Sequence, residues 1–283
     1  MFTPSAWPWI TSFNLAAMAT DDSCKHFAEL DVSRRSGLLH IHFQRRWLRR
    51  TIYELMRALD LASTDAQLQV VVLSGHFSVG CGGDTEPLAL KQGQQNRRRQ
   101  MGGQRREQQE EHSSEAEEQY IHERAANFVM RSLAKKILAH RKLLVAFVET
   151  ECLGLGLSVC SLCDLVYATE SAAFVPALGH LDACTKVGPG WMVPHIDWLL
   201  HLGDRADART ALHCGLLAGM VAEPQQFWHR MDQYAVQVPT AALLATKRLL
   251  IRPWRDALLK ELREEGTPMA AQRRRLLYAR SRL

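Results

Sequence analysis

Little in this chain of 283 residues points to a membrane or to an oxidising compartment. No apolar run approaches the ~18 to 20 uncharged residues that a spanning helix needs, so no transmembrane span is expected. The opening stretch MFTPSAWPWITSF lacks both the basic n-region of a secretory signal and the arginines of a mitochondrial presequence. Seven cysteines, an odd number at irregular spacing, do not make a disulfide framework and suit a reducing compartment. Cys160 and Cys163 form a C-x-x-C, but no second pair stands at zinc spacing and both fall in a run that reads as buried helix. They are assigned to core packing, and no metal is expected.

What the chain does have is apolar material, 47% of its residues, enough to bury the core of one large α/β domain. Residues 1–37 show little periodicity and read as a loosely attached N-terminal arm. The alternation Leu39-His40-Ile41-His42-Phe43 predicts a strand with both histidines on one face, more in keeping with a half-exposed strand than with a ligand site. A helix follows over Arg49–Ala62, with Ile52, Leu55, Met56 and Leu59 on one apolar face that packs on the next strand. Val70–Leu73 is the next strand, and Asn127–Ala139 then Leu143–Val148 read as helix then buried strand.

Between them, residues 91–124 change abruptly to Gln, Arg and Glu, with Arg97–Arg99 and Arg105-Arg106 followed by an acidic block over Glu107–Glu118. The two charge blocks nearly cancel, which ranks a nucleic-acid role low. Arg205–Leu217 and Ala241–Ile251 are expected to be helical, and residues 252–283 form an Arg-rich C-terminal helical region whose basic face is expected to be solvated.

Two segments carry chemistry. In LVAFVETECLGLGLSVCSLCDLVYATESAAF, Leu144–Phe174, an apolar strand meets a Gly-x-Gly turn, then a buried helix and another strand. A helix that starts at Gly154–Gly156 aims unpaired backbone N–H groups and a positive dipole end at whatever lies above the turn, which suits an oxyanion. In VVVLSGHFSVGCGGDTEPLAL the strand runs into Ser74-Gly75 and a second glycine-rich turn, Gly80–Gly83, before Asp84.

Together these turns resemble the crotonase (enoyl-CoA hydratase/isomerase) superfamily over about Leu38 to Ile251. The resemblance implies a crotonase-type ββα spiral with a C-terminal helical region, one core over residues 38–251 interrupted by the 91–124 insertion, and a homotrimer. It also implies an oxyanion hole of two amides for the thioester oxygen of an acyl-CoA, and no resident cofactor, since CoA arrives as part of the substrate. Phe77-Ser78-Val79-Gly80-Cys81-Gly82-Gly83-Asp84 carries two more residues than the usual Phe-Ser-x-Gly-x-Asp, so Cys81 and Gly83 are the two candidates for the first amide, with displacement of both by the insertion as the alternative. The second amide falls on Leu155, where the family commonly has glycine.

Ser158 stands where hydratases carry a glutamate, which excludes the ordinary two-carboxylate hydratase mechanism. The segment is most similar to the peroxisomal Δ3,Δ2-enoyl-CoA isomerase branch, which relies on one later glutamate. With one deletion, Leu178-Gly179-His180-Leu181-Asp182-Ala183-Cys184-Thr185 places Asp182 on that glutamate as the proton shuttle, with His180 as a substitute base and a loop or helix-capping role as the alternative for Asp182. Asp164 is read as structural. Arg45-Arg46 stands where the family has a basic pair near the CoA nucleotide, so both arginines are candidates for its phosphates, with a solvated basic strand end as the alternative. Glu149-Thr150 replaces the usual Asn-Gly. The terminal Ser281-Arg282-Leu283 is a conservative variant of the Ser-Lys-Leu peroxisomal address, which makes an import receptor an expected partner and the peroxisome the expected location.

Overall fold

The computed structural model describes residues 27–35, 37–45, 47–78, 128–176, 204–237 and 240–264. Strands β1 (Leu30–Arg35), β2 (Leu38–Phe43), β3 (Val70–Gly75), β5 (Leu143–Val148), β7 (Leu165–Thr169) and β10 (Gly219–Val221) make a six-stranded sheet in the order β1-β2-β3-β5-β7-β10. All its pairings are parallel except β1 with β2. Short strands β4 (Phe77–Ser78), β6 (Glu151–Leu153), β8 (Ala173–Val175) and β9 (Ala206–Asp207) make a second sheet in that order.

The two sheets interleave. Each of β3, β5 and β7 in the large sheet is followed directly by β4, β6 or β8 in the small one. That repeat of long strand, short strand and return is the ββα spiral expected from the sequence. β5 is buried along its whole length because both of its faces are covered, which explains why it is apolar without alternation. One face, with Leu39, Ile41, Leu73, Leu144 and Ala146, belongs to the main core. The other, with Leu38, Val72, Val145 and Phe147, is closed by Phe227, Met231 and Ala235 of a helix over Pro224–Gln237. Phe147 and Phe227 stack there with ring centroids 4.0 Å apart.

Helix α1 (Arg49–Thr64) buries Leu55 and Leu59, with Ile52 and Met56 packed at the margin. Its N-terminus is tied by the Leu48 N–H donating to the Thr51 hydroxyl at 3.0 Å, one half of a capping box. α1 lies against β1 and β2. Helix α2 spans 128–138, and α3 (Leu155–Leu162) is buried at every residue.

Two expectations need correction. Residues 30–35 do not belong to a loose arm: they pair with β2 in full register, because Leu30 and Val32 alternate with polar neighbours and bury their side chains. The expected helix from Arg205 shortens to α4 (Ala208–His213), since 206–207 pair with β8 and the Asp207 carboxylate caps the helix by accepting from Thr210 N–H at 2.8 Å. α5 is the Pro224–Gln237 helix, and α6 runs over Thr240–Glu264, continuing past Ile251 without a break. No described helix is long and apolar enough to cross a membrane.

Candidate active site

The small sheet positions the described part of the candidate site. Parallel pairing sets Phe77 beside Cys152 and Ser78 beside Leu153, so the chain leaves β4 for the first glycine-rich turn immediately beside the turn from β6 into α3. The two donor turns read from sequence therefore begin as neighbours, although they lie 76 residues apart by the spacing of Ser78 and Gly154.

At the second turn, Gly154 takes φ +55 and ψ −111 as the N-cap of α3, and its N–H donates to the Val175 carbonyl at 3.0 Å. Leu155 is the first helical residue. The left-handed backbone that would be costly for leucine thus falls on the glycine before it. Leu155 is 8% exposed, and its amide is one of the N-terminal groups that helix geometry leaves without an intrahelical acceptor. Gly156 is required for a different reason: a Cβ there would stand 2.0 Å from the Phe77 carbonyl oxygen. The first turn of α3 thus lies directly against β4.

Ser158, one turn further in, is buried with its hydroxyl 3.5 Å from the Gly154 carbonyl, the back-bonding pattern of a helical serine. α3 itself carries no carboxylate. Cys160 faces Cys152 across the β6–α3 turn, Sγ to Sγ 3.7 Å, and burial pushes the Cys160 and Cys163 thiols well above their ordinary range. Both are core residues, as their setting in the sequence suggests.

Around the site, the Glu149 carbonyl accepts from the Thr169 hydroxyl at 2.7 Å, fixing the end of β5 on that of β7. Asp164 holds the other end of α3: its carboxylate accepts from Leu144 N–H at 2.8 Å and pairs with Lys247 of α6 at 2.7 Å. Burial raises the Asp164 pKa despite the ammonium and the amide that favour its charge. That is a structural role.

His40 and His42 do share one face, but they are tied rather than open. His40 Nε2 lies 2.6 Å and His42 Nδ1 3.0 Å from the Ser74 hydroxyl, and the His40 ring packs on Trp228 with centroids 4.4 Å apart. Among the described residues no group of three or more His, Cys, Asp or Glu is placed to hold a metal ion. Arg45 is largely exposed and stands 3.6 Å from the Glu29 carboxylate. Arg46, Cys81, Gly83, His180, Asp182 and the terminal Ser281-Arg282-Leu283 lie outside the described residues. Sequence reading missed Lys247 and the aromatic group Phe43, Trp47 and Phe77 beneath β4. Trp47 immediately after the basic pair was the one available signal.

No family model matches the chain. It is 26% identical to Enoyl-CoA delta isomerase 2 of Rattus norvegicus over 53% of its length, and 23% identical to Chromodomain Y-like protein 2 of Mus musculus over 89%. It spans less than half of those relatives, 41% and 48% respectively. Among solved structures, an enoyl-CoA hydratase from Bacillus halodurans superposes with a TM-score of 0.68 at 17% identity, over 87% of this chain and 95% of that one. An enoyl-CoA hydratase/isomerase from Xanthobacter autotrophicus Py2 gives 0.67 at 20% identity, over 87% of each.

Proposed function

Given that the chain has the crotonase fold of the enoyl-CoA hydratase/isomerase structures, we propose that it binds fatty acyl-CoA thioesters and moves a 3-enoyl double bond to the 2-position in peroxisomal β-oxidation. The observation that carries this reading is the placement of the Leu155 amide at the N-terminus of a buried helix, pressed against the strand that leads to the first donor turn. Such a pair of backbone donors stabilises the enolate oxygen as charge develops, each worth about 3 kcal/mol of barrier.

Leu155 supplies one amide, and Cys81 or Gly83 the other. Asp182 takes the proton from C2 and returns it at C4. The likeness to the rat isomerase supports this choice of reaction, and Ser158 in place of an acid fits a single-base scheme. Arg45 and Arg46 meet the CoA phosphates, the protein assembles as a homotrimer, and Ser281-Arg282-Leu283 engages an import receptor.

The test is the rate at which purified protein converts a medium-chain trans-3-enoyl-CoA to the 2-enoyl product, beside calorimetric CoA binding. Asp182→Ala is expected to lower turnover by at least ~10²-fold, the range of a lost general base, with CoA affinity retained. Equal rates in wild type and variant would sink the assignment of Asp182.

A second reading is a crotonase-fold binding module without turnover. The wider likeness to Chromodomain Y-like protein 2 and the carboxylate-free α3 favour it. CoA-thioester binding with no conversion would select an acyl-CoA-binding module. Nuclear localisation with no CoA binding would select an interaction scaffold.

A further inference from the structure

The first link from the large sheet to the small one is one residue long. β3 ends at Gly75 and β4 begins at Phe77, so His76 alone carries the chain across. Gly75 holds φ +94, and a Cβ there would stand 2.5 Å from the Phe43 carbonyl oxygen, so the crossing is closed to other residues. His76 is gripped at both backbone groups. Its N–H donates to the Phe43 carbonyl at 3.0 Å, and its carbonyl accepts the indole Nε1–H of Trp47 at 2.7 Å.

Trp47 is 6% exposed, with its ring centroid 4.4 Å from that of Phe43 and 6.2 Å from that of Phe77. Burial among two phenyl rings needs no N–H, and a phenylalanine would serve it without a polar atom to satisfy. The indole donor instead fixes a carbonyl direction, and with it the heading of β4. From there the path is short: Phe77 pairs with Cys152, and its carbonyl abuts Gly156 so closely that no Cβ fits between. Any tilt of β4 is passed to the first turn of α3.

We propose that Trp47 is a positioning residue for the Leu155 amide, acting through His76 and Phe77 on the alignment of α3. This inference rests on the acyl-CoA reading above. The test compares wild type with Trp47→Phe, which keeps an aromatic ring and removes the donor. The probe is a conjugated 2,4-dienoyl-CoA, whose absorbance moves to longer wavelength when its thioester carbonyl is polarised. Calorimetric affinity, Tm and turnover of a 3-enoyl-CoA are read alongside.

Trp47→Phe is expected to bind the probe with affinity within about twofold of wild type and to lose most of the red shift. kcat should fall about tenfold at nearly constant KM, since a displacement well under 1 Å is enough for that. A lower Tm with the red shift and kcat intact would overturn the inference and leave the acyl-CoA reading standing. Wild type that binds the probe without any red shift would overturn the oxyanion role of the Leu155 amide and this inference with it, leaving an acyl-CoA-binding module; wild type that does not bind it would overturn the acyl-CoA reading as well. Should Trp47→Phe fail to fold, Trp47→Met, which fills the site with an apolar side chain and no donor, is read in the same way: a lost red shift at retained affinity supports the inference, and a full red shift overturns it.

Discussion

His140 is held neutral by its surroundings. It donates from Nε2–H to the Leu59 carbonyl at 3.1 Å and accepts the Lys142 N–H at Nδ1, 3.2 Å, so both ring nitrogens are used in the uncharged tautomer. Burial, helped by the charge of Lys247, lowers its pKa to about 4; burial, with His42 and Arg35 nearby, does the same for His40. Between about 4 and the ordinary value near 6.5 the unfolded chain binds more protons than the native one, so stability rises with pH through that window and is lost on acidification. Each histidine contributes at most about 3 kcal/mol of stability across this window. Urea unfolding at pH 7.5 and pH 5 should show the loss, and His140→Gln should flatten it while lowering stability at the higher pH. An unchanged slope in that variant would remove His140 as its source. None of this was legible from sequence, where His140 is one histidine before a basic pair and His40 one of two on a strand. Alternation gave the face, but the partners Leu59 and Ser74 come from other elements.

Among the elements, α6 is docked through a charged contact. Lys247 is 8% exposed on a helix whose neighbouring positions are mostly open, and its ammonium reaches both Asp164 and the Lys142 carbonyl, at 2.7 and 3.0 Å. Lys247→Met should cost on the order of 3 kcal/mol, the range for removing one partner of a buried pair. The penalty should shrink in an Asp164→Asn background, because the stranded carboxylate is then gone. A double-mutant cycle by denaturant unfolding measures that coupling; additive penalties would mean that the pair does not act as a unit. The long elements were readable because β2 and α1 carry enough residues for a period to show, while β3 and β5 stand out as continuous apolar runs. β6, β8 and β9, of 3, 3 and 2 residues, were not, since no alternation is visible over so few positions. The turn into α3 was readable from its glycines. The positive φ sits on Gly154 and not on Leu155, because the helix begins one residue later than the turn does.

For the whole molecule, the surface of α5 and α6 bears directly on assembly. Val236 of α5 and Leu249 and Leu250 of α6 are 69%, 67% and 68% exposed. If the proposed homotrimer forms through this region, sedimentation should give about three times the chain mass of 32.0 kDa, and Leu249→Glu with Leu250→Glu should return it toward one. A monomeric wild type would remove the trimer from the proposal. The Asp164–Lys247 pair also has a consequence in time. The carboxylate leaves the ribosome 83 residues before its cation. At the usual ~5–20 residues per second that is several seconds. Through that interval a nascent chain holding α3 and β7 has the Leu144 N–H to offer Asp164 but no ammonium, so the carboxylate stays hydrated until α6 arrives. Docking of α6 is therefore the step that takes this charge out of water, and it does so with the ammonium already in place.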